Sequence, residues 1–246
     1  MPDTHHTDNR VMDAFLPRFL QAWASTGATG AAGVTGVTGA AHSSSASGAA
    51  RQIAPGTEGV AVWSDLVERY AEPQRAYHTA QHLAECLTLF DGVRDQVGPP
   101  AAEIELALWF HDAVYDVHGS DNEARSAELA ATALRAAGAR EPSVEAVCRL
   151  VLATRHAAPP ATPDECWLID IDLAILGAEA ARFDEYEAQI RREYGFVPAD
   201  AFATRRRALL RAFLARSRLY ATAHFHALLE TRARANLQRS LERLDR

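Results

Sequence analysis

The run LALWFHDAVY at residues 106–115 constrains this chain more than any other stretch, because it sets an imidazole and a carboxylate among side chains that a folded protein buries. A carboxylate in apolar surroundings is costly unless it is paired, hydrogen-bonded or bound to a metal. On a helix, Ile104, Leu108, His111 and Tyr115 share one stripe, so His111 points where core residues point. Asp112 lies about 100° further round, close enough to meet the same ion. Asp172 is embedded in a second apolar run, LIDIDLAILG, with Leu168, Ile175 and Leu176 at i−4, i+3 and i+4. Asp170 faces elsewhere on that helix. Upstream, His78 and His82 in HTAQH are four apart and fall on one helical face. That pair alone is a weak signal, and a zinc-protease motif would need Glu where Thr79 stands. Imidazoles and carboxylates together are the set that a divalent metal takes from a protein. The expectation is a metal centre built from helices distant in sequence.

Composition removes several other chemistries. All 25 basic residues are Arg, which excludes Schiff-base lysine catalysis, a P-loop lysine and a Ser-Lys dyad. The formal charge of −7 argues against a nucleic acid polymer as partner. Cys86, Cys148 and Cys166 are widely spaced with no C-x-x-C pair, so neither a disulfide framework nor a zinc ribbon is signalled. Cys86 reads as a small buried hydrophobe. With no apolar core in MPDTHHTDNR and no window of 18 apolar residues, the expectation is a cytoplasmic protein without a membrane span.

The organisation reads as all-α. Residues 1–24 carry a first helix with Val11, Phe15, Phe19 and Trp23 on one face. Residues 25–59 are rich in Gly, Ala, Ser and Thr and read as a flexible insertion, since they offer little apolar surface to offset ordering. Residues 60–246 form a single helical domain. The spacing predicts helices that include Ala76–Gln96, Ala101–Asp116, Asp121–Ala137, Val144–His156 and Pro163–Leu176. Ser120 to Glu123 and Thr162 to Glu165 both read as capping boxes.

The order His82, His111-Asp112, Asp172 resembles the H…HD…D signature of the HD-domain metal-dependent phosphohydrolase superfamily. The resemblance extends over RYAEPQRAYHTAQH, LALWFHDAVYDVHGSDNEARSA, LATRH, LIDIDLAILG, YEAQIRREY and ARANL, which together span about residues 60 to 240. It implies an HD-type helical bundle in which His82, His111, Asp112 and Asp172 hold a divalent ion (Mn, Fe, Co, Ni, Zn or Mg). His78, His156 and Asp170 are its candidates for a second metal or for support of the first. It also implies hydrolysis of a small phosphorylated molecule, with nucleotides among the candidates. Catalytic roles fall to Asp112 and to Glu123, which also fits the capping box from Ser120. Arg75, Arg191, Arg207 and Arg234 are candidate phosphate contacts. Two alternatives stay open: a di-iron oxygenase on the same fold, and a non-catalytic, metal-containing ligand sensor.

Overall fold

Amphipathic stripes and helix-stop residues resolve into helices throughout the computed structural model, which describes residues 11–29 and 57–245. In chain order these are α1 (Leu16–Ser25), α2 (Glu58–Tyr70), α3 (Ala80–Val97), α4 (Ala101–Phe110), α5 (Asn122–Ala136), α6 (Glu141–Ala153) and α7 (Pro163–Asp172). A 3₁₀ turn (Leu173–Gly177) follows, then α8 (Ala180–Glu193), α9 (Ala199–Ala215) and α10 (Ala223–Leu244). No strand occurs among the described residues, so the fold class is all-α. None of these helices is long and apolar enough to cross a membrane.

α4 organises the core. Its segment AAEIELALWF is apolar nearly all round, which suits a helix enclosed by others, and residues 104–110 are all buried. It packs against α1, α3, α6 and α7. The carboxylate at Glu105 in its middle survives burial because Arg18 Nε donates to it at 2.6 Å and Arg94 reaches its other oxygen. Three helices start on threonine hydroxyls, as N-caps require: Thr79 accepts from Gln81 N, Thr162 from Glu165 N and Thr222 from Phe225 N. Gly177 lets the 3₁₀ turn press on α10, since a Cβ there would lie 2.7 Å from that of Leu229.

Several sequence expectations shift. Pro17 falls at the start of α1, where a missing N–H is tolerated, and a turn at residues 14–15 separates α1 from the helical residues 11–13, where one continuous helix was expected. Phe19 and Trp23 are buried, but Val11 is 47% exposed and Met12 takes its place in the core. Both ends of the stretch expected to be an insertion, 25–59, are built into the fold. Thr26 O accepts from Arg140 N, Thr29 N donates to Ala137 O at 2.7 Å, and Glu58 already begins α2. The remainder of that insertion, residues 30–56, lies outside the described residues. The Thr162 cap forms, with Glu165 reaching back to Ala161 N at 2.7 Å. The Ser120 cap does not. Asp121 is the N-cap residue of α5, and Asn122 instead ties down the preceding loop through Asp116 N and Asp116 O.

Candidate metal centre

Four of the sequence-selected residues meet at helix ends. His82 lies in the first turn of α3, set there by the Thr79 cap. α4 stops at Phe110, so His111 is its C-cap residue and Asp112 occupies the turn beyond it, where an uninterrupted helix to Asp116 was expected. Asp172 is the last residue of α7. His111 keeps helical backbone angles (φ −56°, ψ −39°), so Asp112 follows it by about one helical step, and its Oδ2 comes within 2.9 Å of His111 Nε2.

The convergence is close. His82 Nε2 lies 3.2 Å from His111 Nε2, 3.3 Å from Asp172 Oδ1 and 3.7 Å from Asp112 Oδ2. His111 Nε2 lies 2.9 Å from Asp112 Oδ2 and 3.6 Å from Asp172 Oδ1. Ligand bonds of about 2.1 Å place neighbouring donor atoms about 3.0 Å apart in an octahedron and about 3.4 Å apart in a tetrahedron. All five separations fall near those values.

Hydrogen bonding outside the cluster orients the two imidazoles. Leu108 O accepts from His111 Nδ1 at 2.7 Å, which fixes the neutral ring with its Nε2 lone pair facing the cluster. His82 Nδ1 meets the buried hydroxyl of Tyr77 at 3.0 Å, and with Nδ1 as donor its Nε2 lone pair faces the same way. Such outer partners are what metal-binding histidines use. With both rings neutral, two Nε2 lone pairs at 3.2 Å beside two carboxylates would form an excess of acceptors, which a proton or a metal cation relieves.

Protons can fill part of that role. Burial alone would lower the pKa of His111, but the charge and hydrogen bond of Asp112 outweigh it and hold the imidazolium up to about 9. The Asp112 carboxyl is drawn well below its ordinary range, because His111 and His78 overcome the effect of its burial. Asp172 is likewise held low against burial, by its hydrogen bond with His156 and by the neighbouring imidazoles.

His78 and His156 border the cluster. His78 precedes α3, so it does not share a helical face with His82; it stands in a loop above it. His78 Nδ1 binds Glu193 Oε2 at 2.8 Å, and its ring stacks on Tyr115 at 4.1 Å between centroids. Burial lowers its pKa, but the charge of Asp112 and the Glu193 hydrogen bond leave it above the ordinary value. His156 lies beyond the end of α6, with a left-handed φ of 53°, and its Nε2 reaches Asp172 Oδ2 at 3.1 Å. Asp170 is turned away. Its oxygens accept from Ala221 N at 2.8 Å, Thr222 N at 2.7 Å and Thr222 Oγ1 at 2.6 Å, so it anchors the start of α10 and supports neither ion.

The arginines expected at a phosphate are occupied elsewhere. Arg75 is buried and ties His78 O, Asp112 O and Ala113 O together, which makes it a clamp between two loops of the centre. Arg191 closes Tyr194 O and Val197 O beyond α8. Arg207 pairs with Asp245, while Arg234 gathers Glu230 and the carbonyls of Leu214, Arg216 and Ser217. Carbonyls left open where helices end attract such donors. Glu123 stands 3.7 Å from Arg155 and caps nothing.

The sequence reading passed over two residues. Tyr77 orients His82. Glu193, buried and held down to about 2, accepts from Ala76 N, Tyr77 N, His78 N, His78 Nδ1 and Tyr115 OH. Burial raises its pKa, and the His78 hydrogen bond and charge overcome that rise. A signal existed, since Tyr186, Ile190 and Glu193 follow helical core spacing. Cys86 is buried with its Sγ 3.7 Å from His82 Nδ1, so His82, Cys86 and Asp172 form a second donor group that shares residues with the first. Comparison of the chain with protein-family models, with curated proteins and with solved structures finds no match.

Proposed function

We propose that this chain is a divalent-metal-dependent phosphohydrolase of HD type acting on a small phosphorylated molecule. The observation that carries this reading is the meeting of His82, His111, Asp112 and Asp172 within 3.7 Å of the His82 Nε2 atom. These four would hold the ion. When bound, a divalent ion supplies a Lewis acid that makes water acidic near neutral pH and screens phosphoryl oxygens.

The remaining work belongs to side chains already in place. Leu108 O and Tyr77 OH keep both imidazoles turned toward the substrate side, so no reorientation is needed during reaction. Arg75 locks the His78 loop to the Asp112 turn. His78, steadied by Glu193 at the edge of the cluster, would be the group that passes a proton to the departing alcohol oxygen. In this assignment the proton-transfer role moves from Glu123 to His78. Both described donor groups contain His82, which supports a single-ion centre.

The test is metal analysis of purified protein combined with two assays. Turnover of phosphomonoesters with Mn²⁺ or Co²⁺, lost in His111→Ala, is the expected outcome. Oxygen uptake with Fe²⁺ and no ester turnover would replace this reading with the di-iron one. Stoichiometric metal with neither activity would leave a ligand sensor.

A further inference from the structure

A chamber of about 570 Å³ adjoins the cluster, bounded by α3, the 3₁₀ turn and α10. His82 and Asp172 belong to its wall, so the same side chains serve both chamber and cluster. The volume falls within the roughly 300–1,000 Å³ common for small-molecule sites. Much of the remaining wall is apolar, formed by Ala84, Leu89, Ile171, Ile175 and Leu229.

The polar side chains around it are committed to one another. Arg182 forks onto both Glu85 oxygens at 2.7 and 3.0 Å. Gln189 donates to Gln81 at 3.2 Å, and Gln81 to Glu85 at 3.4 Å. Arg232 is held by Gly177 O at 2.5 Å and Glu179 at 2.6 Å. A nucleobase or sugar placed there would surrender hydrogen bonds to water and meet partners already engaged, which is unfavourable for each group left unpaired. A hydrocarbon or aryl group surrenders none.

We infer that the substrate is an amphiphilic phosphomonoester whose alkyl or aryl body occupies this chamber while its phosphate lies at the cluster. This inference rests on the hydrolase reading of the cluster. In the reaction the ester P–O bond breaks and a P–O bond to water forms. One water proton ends on the released alcohol and the other on the phosphate.

The experiment compares methyl, butyl and octyl phosphate with the Mn²⁺-loaded protein, and methyl- with octylphosphonate by calorimetry on metal-free protein. Burial of each methylene is worth about a three- to fourfold gain, so kcat/KM is expected to rise at least about 100-fold from methyl to octyl. Ala84→Phe, which narrows the chamber, should erase most of that gain and leave methyl phosphate turnover unchanged. Leu89→Asn is the second variant, should Ala84→Phe fail to fold. Equal turnover of methyl and octyl phosphate overturns the inference while sparing the hydrolase reading. Absence of any ester turnover overturns the hydrolase reading, and the phosphonates then decide the chamber. Octylphosphonate binding at least tenfold tighter than methylphosphonate, and lost in the variants, sustains it. Equal binding of the two removes it.

Discussion

Glu193→Gln tests whether one buried carboxylate holds the loop that carries His78. The carboxylate accepts five hydrogen bonds, three of them from consecutive backbone N–H groups at 2.7 to 3.0 Å. Its pKa of about 2, against an ordinary 4.5, corresponds to about 3 kcal/mol at neutral pH. Because this pKa is depressed, the stabilisation is complete above the unfolded value near 4.5 and disappears as pH falls through about 2. Glutamine keeps an oxygen for the three N–H groups, but it turns an uncharged NH₂ toward His78 Nδ1 and Tyr115 OH. The expected loss at pH 7 is about 2–3 kcal/mol, or a fall in Tm of about 5–10 °C for a domain of this size. Urea unfolding of both proteins at pH 7, 5.5, 4 and 3 reads it. The gap should hold down to about pH 5 and fall to less than half by pH 3, where wild-type Glu193 begins to protonate. A variant within about 0.5 kcal/mol of wild type at pH 7, or a gap that persists unchanged at pH 3, would refute the reasoning.

His111→Ala and Asp112→Ala should each abolish stoichiometric metal together with ester hydrolysis; full metal retention in both by elemental analysis would remove the ligand assignment. Asp172→Asn and Asp170→Asn should separate cleanly. The first should lose metal, while the second should keep it and unfold about 1–3 kcal/mol more easily, because its carboxylate anchors Ala221 and Thr222. Metal affinity, measured by chelator competition, should climb nearly tenfold per pH unit from about pH 6 to 9 and then level, since the ion must displace the His111 proton held at about 9. A flat profile would contradict that. The same raised pKa stabilises the metal-free fold fully below His111's ordinary value and ceases to do so as pH rises through about 9.

The helices were legible because their signals are local. Thr162 and Thr222 cap, Pro163 begins a helix and Gly98 ends α3 with a φ of 76°, whereas the Thr79 cap and the Pro17 start lay inside stretches expected to be helical. The cluster was legible because a polar residue at core spacing needs an explanation. That rule does not say which explanation holds. Applied evenly it selects Glu105, Asp170 and Glu193 as well as Asp172, and these are satisfied by two arginines, by the start of α10 and by the His78 loop. The partners come from segments 11, 51 and 115 residues away, a separation no periodicity reports. The roles of the arginines were illegible for a related reason. A guanidinium suits a phosphate or an open carbonyl equally well, and Arg191 and Arg234 found carbonyls.

Helix ends decide the sign of charge that the centre favours. α4 and α7 both bring their C-termini to it, at His111 and Asp172, and a helix C-terminus carries about half a negative charge. Two ionised carboxylates add to this, while the N-terminus of α3 beside His82 offsets about one such half charge. The balance is a site that needs positive charge wherever it comes from. In the protein without metal, the protons on His111 and His78 provide it, which is why both imidazoles are held above their ordinary values despite burial. A divalent ion held by His82, His111, Asp112 and Asp172 would provide positive charge from one point. Metal binding would displace the His111 proton and leave that of His78 in place, so the ion would bring about one net positive charge to a centre whose carboxylates and helix C-termini favour it.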